Sequence, residues 1–474
     1  MAVRDKQPDP CLLAVIGGGA AGLTAAITAA AWLAEQSPSV LDQLRESCGL
    51  GQALPIIILE KNDRAGRRLL VTGNGRCNLS HQPLDHRHYF SQSAPFIQGP
   101  LQRFDLEATL DWFSRIGLAC RTEPDGRVFP NSLQAASVLD ILRQEAERLG
   151  IEIITDCDVE QLRESQPLYL GDRPLDAHHK WQIKTRDRRT FIASRVVVAT
   201  GGLSYPSLGG SESGHQMMRQ LGYPVTRMFP SIVQIKTETD WVRGLAGSKF
   251  EGRAALLRDG SPLRCEDGEV LFTRYGVSGP PVLQLARPVS ACADDPASLQ
   301  RLRLELDFLP DWTDDACLSW MIMRRHHHPS LELADFMTGL LPKRIGQALL
   351  KLSLNRSLGL PCSVLTESDY AAIVHQIHHT QLAVEGTLGW DQAQVTAGGL
   401  DVSSFRPNTL ASRRHEGLYA AGELLDVDGD CGGYNLQWAW SSGHLAGLSA
   451  VRDLVAANQS SGRSHTGRRR RSGK

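Results

Sequence analysis

The chain of 474 residues carries almost no net charge: 51 Lys and Arg stand against 52 Asp and Glu, a formal charge of −1. No bulk field therefore draws it to nucleic acid or to a membrane. Its ten cysteines, at 11, 48, 77, 120, 157, 265, 292, 317, 362 and 431, include no C-x-x-C pair. That excludes a zinc ribbon and a disulfide framework and points to a reducing cytoplasm. No C-x-x-x-x-C pair exists either, so Cys77 lacks the partner a redox-active disulfide requires. The histidines His326, His327 and His328, and His375, His378 and His379, have no cysteine or carboxylate at ligand spacing, so both groups read as surface clusters without a metal. Only residues 11–34 are long and uncharged. Three consecutive glycines and a polar flank (Arg4, Asp5, Lys6, Asp9) make them strand, turn and helix, not a membrane span or a signal sequence. No internal repeat is present. The expectation is a soluble, cytoplasmic protein.

What remains is an ordinary globular composition, 42% hydrophobic and 22% charged, with length for two or three domains. Its first informative stretch is CLLAVIGGGAAGLTAAITAAAWLA, an apolar run, a glycine loop and an alanine-rich helix. Gly17 permits the tight turn, Gly19 lets backbone approach a pyrophosphate, and Gly22 allows close helix–strand packing. Ala20 and Ala21 open the helix whose N-terminus faces the phosphates. The strand-before, helix-after context makes this G-x-G-x-x-G a dinucleotide site. The run PIIILEK adds a second buried strand and then Glu60, an acid placed for a ribose hydroxyl. The gap from Gly22 exceeds the usual spacing, and an insertion at 35–54, with an extra helix at 40–48 and a Gly-rich exit, accounts for it. An acid at 60 disfavours a 2′-phosphate, so FAD or NAD fits this site better than NADP.

Two later segments separate FAD from NAD. RVVVATGGLSYP is a buried strand ending in Thr200, Gly201 and Gly202, which permits close backbone approach to a flavin. Within EGLYAAGELLDVDGDCGGYNLQWAWSSG, a strand leads to Gly422 and Glu423 and then to a helix starting near Asn435 and Leu436. A helix N-terminus there sets partial positive charge beside the N1/O2 edge of a flavin. An NAD-only dehydrogenase needs neither segment, and no second G-x-G-x-x-G marks a separate nicotinamide domain.

Six stretches carry a family resemblance: IGGGAAGL, LEKNDRAGRRLLVTGNGRCNLS, GRVFPNS, VVVATGGLSYPSLG, GEVLFTRYGVSGPPVLQL and GLYAAGELLDVDGDCGGYNLQWAWSSGHLAG. Together they resemble the YhiN/BaiN-type flavoproteins, FAD-dependent oxidoreductases, over nearly the whole chain. The insertion after the first helix and GGSESGHQM after Gly209 depart from the family pattern. The resemblance implies an α/β fold: a Rossmann-like, glutathione-reductase-like FAD-binding domain with inserted β-barrel-like and helical subdomains. The expected layout is FAD domain 1–205, β-rich insert 206–310, helical subdomain 311–380, a return to the FAD domain at 381–455, and a basic disordered tail at 456–474. In the matching stretches Lys61, Arg67, Gly73, Asn74, Cys77 and Asn78 lie along the cofactor, and Val159 touches the adenine side.

For chemistry, Cys77 has two readings: a small residue packed beside the ring, or a general acid that protonates the carbon next to the one receiving hydride. Arg76 would lower the thiol's pKa or contact an anionic substrate. Tyr434 and His444 are further acid candidates. NAD(P)H would act as a transient electron donor. The resemblance implies several activities: dihydrouridine formation in 23S ribosomal RNA, reduction of unsaturated bile-acid intermediates, or oxidation of aminoacetone. The tail arginines Arg463 and Arg468 to Arg471, with Lys474, and the pairs Arg324-Arg325, Lys343-Arg344 and Arg413-Arg414 are candidate RNA phosphate contacts. A flavin-bearing ribosome-associated protein without turnover is the other class.

Overall fold

Leu12, Leu13, Ala14 and Val15 have no exposed surface, so the first strand, Pro10–Ile16, is buried on both faces. Such burial belongs to a parallel sheet covered by helices. In the computed structural model, which describes residues 10–48, 50, 55–164, 169–170, 173–174 and 181–468, this strand is central. Ile56–Leu59 lies parallel on one side, setting Ile58 beside Val15, and Thr190–Val198 lies parallel on the other, setting Val197 beside Val15. Glu152–Ile154 extends the sheet beyond Ile56–Leu59, while Trp181–Thr185 and Val159–Glu164 add antiparallel strands at the opposite edge. Leu418–Ala420 returns from far along the chain to pair in parallel with residues 196–198. The polar flank before residue 10, residues 49 and 51–54 of the insertion, and the cations at 469–474 lie outside the described residues.

The helix Ala20–Ala34 has no charge and buries most of its circumference, as a helix caught between two layers must. Its second layer is the last helix, Tyr434–Arg468. A Cβ at Gly443 would come within 2.3 Å of the Ala21 carbonyl oxygen, and one at Gly447 within 2.1 Å of that of Ala25. These two glycines, four residues apart, let the helix backbones touch. The last helix continues past 456, where the sequence reading expects a disordered tail. Val451, Leu454 and Val455 prolong its buried face, and no proline interrupts it. The insertion forms a helix, Pro38–Ser47, with proline in its first turn.

The chain divides into two compact units, Met1–Met228 with Val395–Lys474, and Phe229–Gln394. The first break thus falls at 228, not 205, and the second at 394, not 380. The second unit is a closed barrel of six antiparallel strands in the order Ile235–Thr237, Gly276–Ser278, Ser261–Phe272, Lys249–Arg258, Leu302–Asp307 and Thr380–Thr387. Leu302, Leu304 and Leu306 point inward at the two-residue period of a strand. The helices Asp314–His327, Lys343–Ser353 and Glu367–His378 bury Cys317, Met321, Ile345, Leu349, Leu350 and Ile373 in that same core. The expected helical subdomain is therefore part of the barrel unit. Thr380–Thr387 closes the barrel, which is why residues 381–394 belong here rather than to the return segment.

His378 departs from the expected surface cluster. It shares the buried face of its helix with Tyr370, Ile373, Val374 and Ile377. Its Nδ1 lies 2.9 Å from Asp307 Oδ1 and its Nε2 3.5 Å from Cys317 Sγ.

Candidate cofactor and active site

The glycine loop is shaped by backbone approach. At Gly17 (φ 104°) a Cβ would lie 2.4 Å from the Ala199 carbonyl oxygen, and at Gly22 one would lie 1.9 Å from that of Gly17. Gly19 precedes the helix, and a Cβ there would meet nothing within 4 Å. The first-turn amides, Ala20 and Ala21 among them, have no acceptor within the helix and open into that space. Glu60 is buried behind the loop. Its carboxylate accepts the Gly18 N–H at 2.8 Å, the Asn62 N–H at 2.8 Å and the Asn62 amide at 2.6 Å. The turn before Val159 is drawn to the same place, because the Cys157 N–H donates to the Glu60 carbonyl at 2.9 Å. Lys61 Nζ donates to Ser211 Oγ at 2.7 Å, and burial pulls its pKa below the usual lysine value.

The two returning segments meet through Glu423. Its carboxylate takes Arg68 Nη1 at 2.9 Å, Ser204 Oγ at 3.0 Å and the Thr396 N–H at 2.6 Å. Arg68 also donates to Ser204 Oγ at 2.7 Å, and Thr396 Oγ1 accepts the Leu203 N–H at 2.8 Å. Burial works against the Glu423 charge, but Arg68 and the Thr396 N–H hold its carboxyl below the usual range. A Cβ on Gly202 would lie 2.9 Å from Glu423 Oε1, and one on Gly201 3.3 Å from Arg68 Nη1, so the T-G-G turn sits directly on this network. Gly422 donates its N–H to Ser442 Oγ, and its carbonyl accepts from Trp438 Nε1. Arg68, Ser204 and Thr396 are absent from the sequence reading. Arg67, which that reading includes, instead pairs with Asp63 at 3.3 Å on the surface. The helical turn after Gly66 (φ 79°) directs one arginine out and its neighbour in.

In the 73–78 loop, Gly73, Asn74, Gly75 and Cys77 all take left-handed conformations. Gly73, Asn74 and Gly75 are exposed, while Cys77 has no exposed surface. Burial pushes the Cys77 thiol up to about 12, against a hydrogen bond with Thr72. Arg76 does not counter this: it lies over the Phe129 ring at 4.5 Å and faces Glu123 at 3.8 Å. The geometry therefore favours the packing reading of Cys77. Asn78 is strapped to the last helix by its neighbours, for Trp440 Nε1 donates to the Leu79 carbonyl at 3.0 Å and Ser80 Oγ to Gln437 at 2.6 Å. Asn78 Oδ1 and Thr200 Oγ1 are buried and have no hydrogen-bond partner among the described residues.

The other acid candidates separate. His444 turns away from the cradle: its Nδ1 lies 3.1 Å from Thr28 Oγ1 and its ring stacks on Phe104 at 4.0 Å. Burial lowers its pKa to about 4, so it is neutral near pH 7 and belongs to helix packing. Tyr434 opens the last helix beside Gly433, itself 2.8 Å (measured from an added Cβ) from Asn78 Oδ1. Its ring lies between His88 at 4.6 Å and His81 at 5.1 Å, with Tyr89 edge-on. Burial raises its hydroxyl to about 12. Asn435 is occupied: its amide clamps Gly429 and the Asp430 carbonyl. Leu436 is half-buried in the same first turn. His81, His88 and Asp430 were missed, because no local spacing joins residues 342 positions apart.

The three cation pairs offered for RNA are engaged within the fold. Arg324 donates to the Asp335 carbonyl, Arg325 to that of Ser363, Arg344 to that of Gly244, and Lys343 pairs with Asp335. Arg413 and Arg414 donate to the carbonyls of Phe405 and Gly222. Among the described residues, no helix is long and apolar enough to cross a membrane, and no group of three His, Cys, Asp or Glu is placed to hold a metal ion.

Residues 11–449 match the family described as HI0933-like protein Rossmann domain. The chain belongs to the HI0933-like family. It is similar to a 3-dehydro-bile acid delta(4,6)-reductase of Clostridium scindens, 34% identical over 439 residues, 93% of this chain and 98% of the relative. It is also similar to a ribosomal RNA dihydrouridine synthase of Haemophilus influenzae, 28% identical over 444 residues, 92% of this chain and 98% of the relative. Among solved structures, a 3-ketosteroid-delta4-(5alpha)-dehydrogenase of Rhodococcus jostii RHA1 aligns with TM-score 0.45 and 14% identity over 96% of this chain and 99% of that one. This HI0933-like chain is an FAD-dependent oxidoreductase. The cradle fits that cofactor. Glu60 and the first-turn amides suit a ribose and a pyrophosphate, and the unpartnered Asn78 Oδ1 and Thr200 Oγ1 suit the hydroxyl and ring N–H donors of a flavin half.

Proposed function

We propose that this oxidoreductase takes electrons from NAD(P)H and reduces a ring C=C bond conjugated to a carbonyl. The observation that carries the reading is that two relatives, each matched over more than nine-tenths of this chain, are named a delta(4,6)-reductase and a dihydrouridine synthase. A 3-oxo-steroid enone and the C5=C6 bond of uracil share that chemistry: hydride adds at one carbon and a proton at its neighbour. Bound in the cradle, FAD supplies the hydride. In this reading Glu60 accepts from the adenosine ribose, the Gly19–Ala21 amides hold the pyrophosphate, and the N-terminus of the last helix favours electron density on the ring. Arg68 and Glu423 pin the 200–204 turn. Cys77 fills space and transfers no proton. Ten free cysteines agree with a cytoplasmic location.

The substrate has two sources, a uridine in 23S ribosomal RNA or a small cyclic enone. Anaerobic NADH or NADPH should bleach the flavin's visible absorbance. In a deletion strain, mass spectrometry of ribosomal RNA should show one uridine about 2 Da lighter than its dihydro form if RNA is the substrate. Unchanged RNA together with reoxidation of the reduced enzyme by cyclic enones assigns the small molecule. A flavin that NAD(P)H never bleaches defeats the reading.

A further inference from the structure

Among the described residues of the cofactor-binding unit, His88 sets a partly exposed imidazole against a buried carboxylate. We propose that His88, held by Asp430, is the general acid that protonates the substrate. This rests on the C=C reduction read above and names its proton donor.

His88 Nδ1 lies 2.9 Å from Asp430 Oδ2. The His88 side chain is 45% exposed and that of Asp430 only 5%. Nε2 has no hydrogen bond to the described residues. A buried carboxylate on Nδ1 fixes the tautomer, orients the ring and stabilises the imidazolium, while Nε2 exchanges the proton.

The pair is held by backbone, not by chance rotamers. Asp428–Gly429 pairs with Tyr89–Phe90, and the Asp430 N–H donates to the His88 carbonyl at 2.9 Å. Tyr89 Oη donates to the Tyr434 carbonyl at 2.9 Å, and Asn435 clamps the Gly429–Asp430 turn. His88 and the helix start of the cofactor cradle therefore share one rigid piece. The His88 ring stacks on Tyr434, the first residue of that helix. The groups facing or flanking His88 are Asp430, Tyr434 and His81 across the stack, with Asp85, His86 and Arg87 in its own turn; Arg87 is paired with Asp85. Of the other candidates, Cys77 is sealed in, His444 faces Thr28, and burial raises the Tyr434 hydroxyl to about 12.

In the step, the incoming hydride brings the electron pair of the first new C–H bond. The π pair of the C=C bond takes the proton from His88 Nε2 to make the second. His88 becomes neutral, keeps Nδ1–H on Asp430, and regains its proton from solvent. The electrons derive from NAD(P)H, so the step balances.

The test compares wild type, His88→Asn and Asp430→Asn as FAD-loaded proteins, in separate half-reactions. His88→Asn should hold wild-type FAD and bleach with NAD(P)H at the wild-type rate. Its reoxidation by the C=C acceptor should slow about 100-fold or more. In the FAD-free protein, ¹⁵N-histidine NMR should find neutral His88 protonated on Nδ1, a preference that Asp430→Asn abolishes. Reoxidation unchanged within about 3-fold, or an Nε2–H tautomer in the wild-type protein, overturns the proposal. If His88→Asn loses FAD, Asp430→Asn decides, since it keeps the ring stack: about 10-fold slower reoxidation supports the dyad and no change sinks it. A wild type that bleaches but reduces no C=C acceptor defeats the function reading, and this proposal with it.

Discussion

His88 and His378 each hold an aspartate oxygen 2.9 Å from Nδ1, Asp430 for the first and Asp307 for the second. Their other nitrogens differ. Nε2 of His88 has no hydrogen bond among the described residues, in a side chain 45% exposed, whereas Nε2 of His378 meets Cys317 Sγ at 3.5 Å in a side chain 8% exposed. Cysteine, histidine and aspartate thus stand in the order of a nucleophilic triad inside the barrel unit. The thiol, however, has no exposed surface, and burial with Asp314 and Asp307 nearby pushes it up to about 11. A nucleophile needs a thiolate and a path to substrate, and Cys317 has neither. The same carboxylate–imidazole pair is a structural pin in one place and a proton donor in the other, and access alone divides them.

The comparison breaks first at His378. His378→Ala removes a buried ring, its bond to Asp307 and its contact with Cys317, and should cost about 3 kcal/mol of unfolding free energy in urea titration. FAD content and turnover per folded molecule should stay at wild-type levels. A selective loss of activity without loss of stability would make the barrel histidine a chemical group and erase the distinction.

Arg68 sharpens the comparison inside the cofactor unit, where a charge pair is buried without access. Arg68→Ala strands Glu423 and should cost about 2 kcal/mol, discounted from a fully buried pair because both side chains keep some exposure. The pH dependence should change sign. In wild type the Glu423 carboxyl is held below its ordinary value, so its contribution is complete above that value and is lost as pH falls through the lower folded one. Without Arg68, burial dominates and raises the carboxyl, so the variant should lose stability as pH rises past the ordinary value. Denaturant midpoints across the acid range separate the two. Arg67→Ala, which removes only an exposed pair with Asp63, should stay within about 0.5 kcal/mol.

Those two arginines also mark where the sequence stops being legible. The glycine loop, Glu60 and the T-G-G turn are readable because strand, turn and acid follow one another at spacings the backbone dictates. That one of two adjacent arginines faces inward depends on the phase of a short helical turn after a left-handed Gly66, and residue type carries no such phase. His88 and Asp430 meet only because Asp428–Gly429 pairs with Tyr89–Phe90 across most of the chain. The burial of His378 follows from its place on the same helix face as Tyr370, Ile373, Val374 and Ile377, a pattern that was legible but masked by two neighbouring histidines. The barrel's closing strand was not legible as such: Thr380–Thr387 looks like a return to the sheet until its pairing with Ile235–Thr237 is known.

Cys77 provides the smallest effect and the sharpest contrast with His88. Both lie near the start of the last helix, the thiol behind the cradle wall and the imidazole in the open. A thiol held up to about 12 is a poor proton donor near pH 7, and a side chain with no exposed surface cannot reach a substrate. Cys77→Ala keeps the left-handed backbone at φ 59°, since alanine tolerates it about as well as cysteine, and loses only the sulfur's packing. It should cost about 1 kcal/mol in stability while FAD content and reoxidation by the C=C acceptor hold within about 2-fold. A tenfold or larger fall in reoxidation with FAD retained would move the proton from the imidazole to the thiol, and would require the 73–78 loop to open during turnover.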